Sequence, residues 1–192
     1  MQHGQRYEPE AARAAILFVA PLVIEPTFHK VCKVFYFAEL LHLERYGSMM
    51  FGDVYKALDN GPVPSFTHME MSEVRRHPEL SLQTGYRVEN KMVRGTTYSV
   101  PVIVPIRDPD MDELSVSMLE CLGESAELCR EQTYDELCEL SHDAAWRKAR
   151  ESGRTTPMPD VFLAEFLPHS AELVEYLNDP YPGDANEMMR LR

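Results

Sequence analysis

The stretch Thr27–Gly47, TFHKVCKVFYFAELLHLERYG, decides the reading of this chain. Thr27 is a helix N-cap residue, and Gly47 stands where a C-terminal cap wants a positive φ. Between them Val34, Phe35, Tyr36, Phe37, Ala38, Leu40, Leu41 and Leu43 surround the helix axis almost completely. A helix apolar nearly all round is a buried one, so this segment is predicted to be the central helix of the fold. Lys30, Lys33, Glu44 and Arg45 are expected at its wetter ends.

Outward from it, Pro9 opens a first helix reaching about Val19, closed by Pro21 and Pro26. From Ser48 to Ile106 glycine and proline interrupt the chain too often for long helices. Met49–Tyr55 reads as extended and Gly61–Pro64 as a turn. Ser65–Val74 reads as a short helix, and Tyr86–Val88 with Thr96–Val104 as a hairpin in which Pro101 needs an edge or a bulge. Ser117 with Glu120 and Thr133 with Glu136 each fit a capping box, starting helices over Met118–Glu131 and Tyr134–Ser141. Ala144–Glu151 continues the helical part, capped by Ser141 or Asp143. Ser152–Asp160 reads as a loop, and short helices follow near Asp160–Leu167 and Ala171–Leu177. The expected fold is α+β and mostly helical, with a buried central helix and a small antiparallel hairpin. One domain is expected over 1–178, with a flexible tail over 179–192.

The chain has 192 residues, 44% of them hydrophobic and 26% charged, the balance of a globular domain. Its net charge of −12 argues against gripping a nucleic-acid backbone. Asp108–Asp143 holds twelve acidic residues and one basic residue, Arg130, a net −11. Such a segment is either a solvated face or one that steers a basic partner. Cys32, Cys121, Cys129 and Cys138 lack CxxC pairing and read as buried small hydrophobes of a reducing compartment. The longest apolar run, Ala14–Ile24, is too short to span a bilayer, and Glu8 and Glu10 spoil a signal peptide. A cytoplasmic protein without membrane contact is expected.

Chemistry has few candidates. His3, His29, His42, His68, His77, His142 and His169 are scattered without ligand spacing, so no metal is expected. Ser141-His142-Asp143 are consecutive and cannot converge on one point as a triad does. His29 and Cys32 share a helical face, an arrangement that suits packing better than an activated thiol. No glycine-rich phosphate loop or GxSxG elbow occurs, and neither catalysis nor a cofactor is expected.

Three blocks carry a resemblance. Lys30, Lys33, Tyr36, Phe37, Ala38, Glu39, His42, Tyr46 and Gly47 match one signature helix; Gly52–Ser65, GDVYKALDNGPVPS, matches a second element; Leu140–Trp146, LSHDAAW, a third. Together they resemble the Panacea domain, the SocA-like or GepA-like antitoxin family. Asp59-Asn60 stands where many members carry an aromatic residue, and Val34-Phe35 replaces a common Leu-Leu, departures that bear on partner choice. The resemblance implies an antitoxin that binds and neutralises a cognate protein toxin, by direct blocking or as an adaptor delivering it to the ClpXP protease. Tyr46, Asp53, Tyr55, Lys56, Asp59, Asn60 and Ser65 are the candidate toxin-binding residues. The competing readings are a phage-associated regulatory protein, a DNA-binding autorepressor and a histidine-dependent hydrolase.

Overall fold

A computed structural model describes residues 6–178; the tail assigned to 179–192 lies outside them. The first helix, α1 (Pro9–Val19), opens on Pro9 and buries Ala11, Ala12, Ala14, Ala15, Ile16, Leu17 and Val19. α2 (Phe28–Tyr46) runs through the middle. The Thr27 hydroxyl accepts the Lys30 amide at 3.1 Å, and Gly47 ends the helix at φ 70° with its N–H on the Leu43 carbonyl.

Lys30 and Lys33 are not at a wet end of α2; both are buried, Lys33 completely. So are Glu39 and His42. Each spends its polar atoms on the segments packed around the helix. Lys30 Nζ donates to the Ile24 and Arg130 carbonyls at 2.7 and 3.1 Å, and Lys33 Nζ to the Pro62 carbonyl at 3.1 Å. Glu39 accepts the Met50 and Phe51 amides, and His42 bridges the Ser48 carbonyl and Ser117 Oγ. Irregular backbone packed against a core needs such partners, and here the central helix supplies them.

β1 (Tyr55–Leu58) and β2 (Gly61–Pro64) form an antiparallel hairpin with Leu58 opposite Gly61, joined by Asp59-Asn60. The extended stretch thus begins where the sequence reading ended it, and Gly61–Pro64 is itself strand. Two prolines fit because β2 is an edge. α3 (Ser65–Arg76) follows, then a 3-10 turn and the short α4 (Ser81–Thr84). β3 (Tyr86–Lys91) and β4 (Val100–Pro105) make the second hairpin, with Pro101 opposite Asn90. The Ile103 amide on the Pro26 carbonyl ties it to the entrance of α2.

α5 (Val116–Cys129) is capped by Ser115, whose hydroxyl accepts the Met118 amide, and not by Ser117. The Ser117 hydroxyl is taken instead by His42 and Ser115. α6 (Tyr134–Ser141) has the expected Thr133–Glu136 capping box, and α7 (Ala144–Ser152) is capped by Asp143. The expected loop Ser152–Asp160 contains a strand, β5 (Thr156–Met158), which pairs with the free side of β1. Three residues, with Pro157 in the middle and Pro159 just after, carry no alternation to betray it. α8 (Asp160–Ala164) and α9 (Ser170–Asn178) complete the described chain. The mostly helical α+β fold is as expected. Among the described residues no helix is long and apolar enough to cross a membrane.

Candidate functional site

The three sequence blocks meet at one place, the first half of α2. Lys33 holds the Pro62 carbonyl from below. Tyr36 Oη donates to Asp143 Oδ2 at 2.7 Å, and Trp146 Nε1 donates to the Leu58 carbonyl at 2.9 Å. Gly61 sits in this knot at φ 97°. A Cβ there would overlap Lys33 Nζ and Ser141 Oγ, so both conformation and space require glycine. The hairpin turn is therefore clamped from two sides.

Beside this turn opens a cleft of about 870 Å³, walled by the start of α2, α3, the tip of the β3–β4 hairpin and the start of α6. Phe28, Leu58, Val63, Val100, Tyr98 and Tyr134 give it apolar and aromatic surface. Asp59 and Asn60 lie on its lining, as do Arg75, Arg94 and Arg154. Asp59 pairs with Arg150 and Arg154 at 2.5 Å each, which lowers its acid range. The Asn60 carbonyl lies 3.4 Å from His29 Nε2, and the His29 ring stacks on Tyr134 at 4.1 Å.

The seven candidate residues do not form one surface. Asp59 and Asn60 reach the cleft, and Lys56 is exposed on β1 outside its lining. Tyr46 is half-exposed at the far end of α2, about 25 Å along the helix from His29 at 1.5 Å per residue, donating to Glu120 at 3.0 Å. Tyr55 is fully buried against Tyr36, and its hydroxyl has no partner. Asp53 is buried and holds the start of α3, accepting the Phe66 and Thr67 amides and the Thr67 hydroxyl at 2.7–2.9 Å. Ser65, half-buried, opens that helix with its hydroxyl unpaired. Tyr55 and Asp53 are thus held inside and are not available to a partner in this conformation. Alternation explains it: Tyr55 and Ala57 face the core while Lys56 faces out.

The residues missed by sequence are those that other elements bring to the turn. His29 pairs not with Cys32 but with Cys138, Nε2 to Sγ 3.5 Å. Burial together with nearby Lys33 drives the His29 ring down to about 3, and burial raises the Cys138 thiol. Both are neutral at physiological pH, the reverse of a thiolate–imidazolium couple. Ser141, His142 and Asp143 diverge: Ser141 is buried, His142 stacks on Trp146 at 3.6 Å, and Asp143 caps α7. Among the described residues no group of three or more His, Cys, Asp or Glu side chains could hold a metal ion. Half of the acidic residues of the segment lie on α5 and α6 and half on the stretches around them, and several carboxylates already have tasks: Glu120 and Glu124 take Tyr46 and Arg45, and Glu136 closes the α6 cap.

No curated protein and no solved structure matches the chain. The family model described as "Antitoxin SocA-like, Panacea domain" matches residues 31–147, from the second turn of α2 through Trp146 into α7. That span contains the clamped turn and most of the cleft wall, and the chain belongs to the SocA-like antitoxin family of Panacea domains.

Proposed function

We propose that this protein is an antitoxin that binds a cognate protein toxin in the cytoplasm and neutralises it by contact. The observation that carries the reading is the cleft beside the rigid Asp59–Gly61 turn, a turn that Lys33 and Trp146 of the three sequence blocks hold in place through the Pro62 and Leu58 carbonyls. A preformed concave surface with aromatic and arginine side chains is suited to recognition. The protonation states of His29 and Cys138 suit binding better than nucleophilic chemistry. Asp59, Asn60 and Lys56 are the proposed toxin contacts, within an interface of about 800 Å² per partner. The acidic face of α5 and α6 steers a basic toxin toward it.

The test is co-expression with the protein encoded by the neighbouring reading frame. Rescue of growth, with loss of rescue in Asp59→Arg, supports the reading. No rescue by the wild-type chain, with no complex on titration of the two purified proteins, refutes it. Delivery to ClpXP is separated by toxin half-life: shortening in normal cells but not in protease-deficient cells assigns the adaptor mode.

A further inference from the structure

In a chain with 31 acidic and 19 basic residues, the cleft is a local exception. Arg75 from α3, Arg94 from the β3–β4 tip and Arg154 from the segment after α7 all line it. Arg75 and Arg94 have no carboxylate partner among the described residues, although the Arg94 guanidinium donates to the Glu131 carbonyl. The two lining carboxylates are already engaged. Asp59 holds two arginines, and Glu25 takes the Arg94 backbone N–H with both oxygens at 3.0 and 3.1 Å.

The first turn of α2, which carries no acidic residue, opens into the same space and adds the positive end of its helix dipole, whereas Asp135 and Glu136 offset that of α6. Lys30 is beneath it with its ammonium on carbonyls. His29 and His68 carry no compensating charge to lose or gain at neutral pH, since burial lowers both. The mouth therefore presents a positive field around an apolar interior. Tyr98 is 66% exposed, and Tyr134, although His29 stacks on one face of its ring, is still 40% exposed, so both offer aromatic surface to a partner. Glu25, which grips the hairpin tip, is one of two described non-glycine residues at positive φ, 54°. Backbone strain of this kind persists where the surroundings over-determine it, and here it fixes one wall of the cleft.

We infer that the cleft takes an acidic segment of the toxin, with an aromatic or aliphatic anchor packed on Tyr98 and Tyr134 and its carboxylates on Arg75, Arg94 and Arg154. This rests on the antitoxin reading and adds which part of the partner enters. Arginine matches a carboxylate through two parallel N–H donors and is a recurrent interface anchor. A phosphate ligand fits less well: no glycine lines the cleft among the described residues, and the arginines come from three separate elements rather than one nest of amides. The toxin so recognised can be basic over its body, drawn by the α5–α6 face, and acidic in the one segment that docks.

The probe is an array of overlapping peptides spanning the neighbouring toxin, overlaid with the full chain. Peptides carrying aspartate or glutamate beside an aromatic or aliphatic residue should bind. The exposed double substitution Arg75→Glu, Arg94→Glu should weaken them at least tenfold without moving the thermal unfolding midpoint, while Arg75→Lys, Arg94→Lys weakens them less. Lysine-rich peptides as the bound set, or an unchanged array with the charge-reversed chain, overturns the inference. Displacement of the bound peptides by ATP or pyrophosphate, each titrated alone, overturns it in favour of a phosphate site. Failure of this inference is distinguishable from failure of the antitoxin reading. If the double variant rescues growth as well as the wild type does, only the cleft assignment falls; if the wild type rescues nothing, the function itself falls.

Discussion

Replacing Lys33 by methionine tests the clamp on which the site depends. Its ammonium is fully buried and donates to the Pro62 carbonyl, and burial lowers it from 10.5 to about 8. The sign follows from linkage. Below pH 8 the lysine is charged in both folded and unfolded chains, and the folded form bears the whole desolvation cost. Between 8 and 10.5 the folded form releases its proton first, so stability from this residue rises with pH. At about 1.4 kcal/mol per unit the gain from pH 8 to 10 is about 2–3 kcal/mol. Lys33→Met removes that dependence. At pH 7 it also relieves the buried charge, while leaving the Pro62 carbonyl without its ammonium costs about 1–3 kcal/mol. The two effects nearly offset, so the variant should be close to the wild type at pH 7 and about 2–3 kcal/mol less stable relative to it at pH 10. The assay is urea unfolding across pH 7–10, followed by the fluorescence of Trp146, the single tryptophan. The thiols of Cys32 and Cys129 titrate in this range only in the unfolded chain, since burial holds both at about 12 in the fold, and that contribution is common to the two proteins and largely cancels in the difference. A constant difference between the two proteins over this range would refute the burial of a charged Lys33.

Tyr55→Ala should destabilise by about 3–5 kcal/mol through the cavity it leaves, and lose neutralisation only because folding is lost. Tyr55→Phe deletes a buried hydroxyl that has no partner, so its unfolding midpoint should hold or rise; a fall of more than about 1 kcal/mol would mean that the hydroxyl is paired. Asp59→Arg breaks two exposed ion pairs and should change stability by less than about 1 kcal/mol while abolishing toxin binding, because Arg154 loses the carboxylate that positions it at the cleft. Cys138, with its thiol raised by burial, should react with iodoacetamide more slowly at pH 7 than a free thiol and speed up above pH 9; fast alkylation at pH 7 would show a thiolate. The on-rate for the toxin should fall as salt shortens the Debye length below about 10 Å, and a salt-insensitive on-rate would leave the α5–α6 charge without a steering role.

Local chemistry made much of the fold legible. Thr27 and Gly47 bound α2, Pro9 opens α1, and the Thr133–Glu136 box starts α6, because each cap acts within a few residues of itself. The rest depends on partners distant along the chain. On paper Ser117 with Glu120 makes the cap of α5, and only the fold sets the Ser117 hydroxyl against His42, 75 positions away, and leaves the cap to Ser115. Lys33 reads as a solvent-facing charge until Pro62 and Ser141 close around it, and β5 is a strand only because β1 lies beside it.

The site divides in the same way. Sequence alone marked the Asp59–Pro64 segment and the three blocks, since their residue types and order are properties of the chain. It could not separate Tyr55 and Asp53, turned inward, from Asp59 and Asn60, turned toward the cleft, nor keep Tyr46 apart from them at the other end of α2. Tertiary structure alone joined Arg75, Arg94 and Arg154 around one cleft and set His29 against Cys138 across 109 positions. The physical reason is that caps and turns are satisfied by their own neighbours, whereas burial, charge fields and clefts are made only by elements brought together in folding.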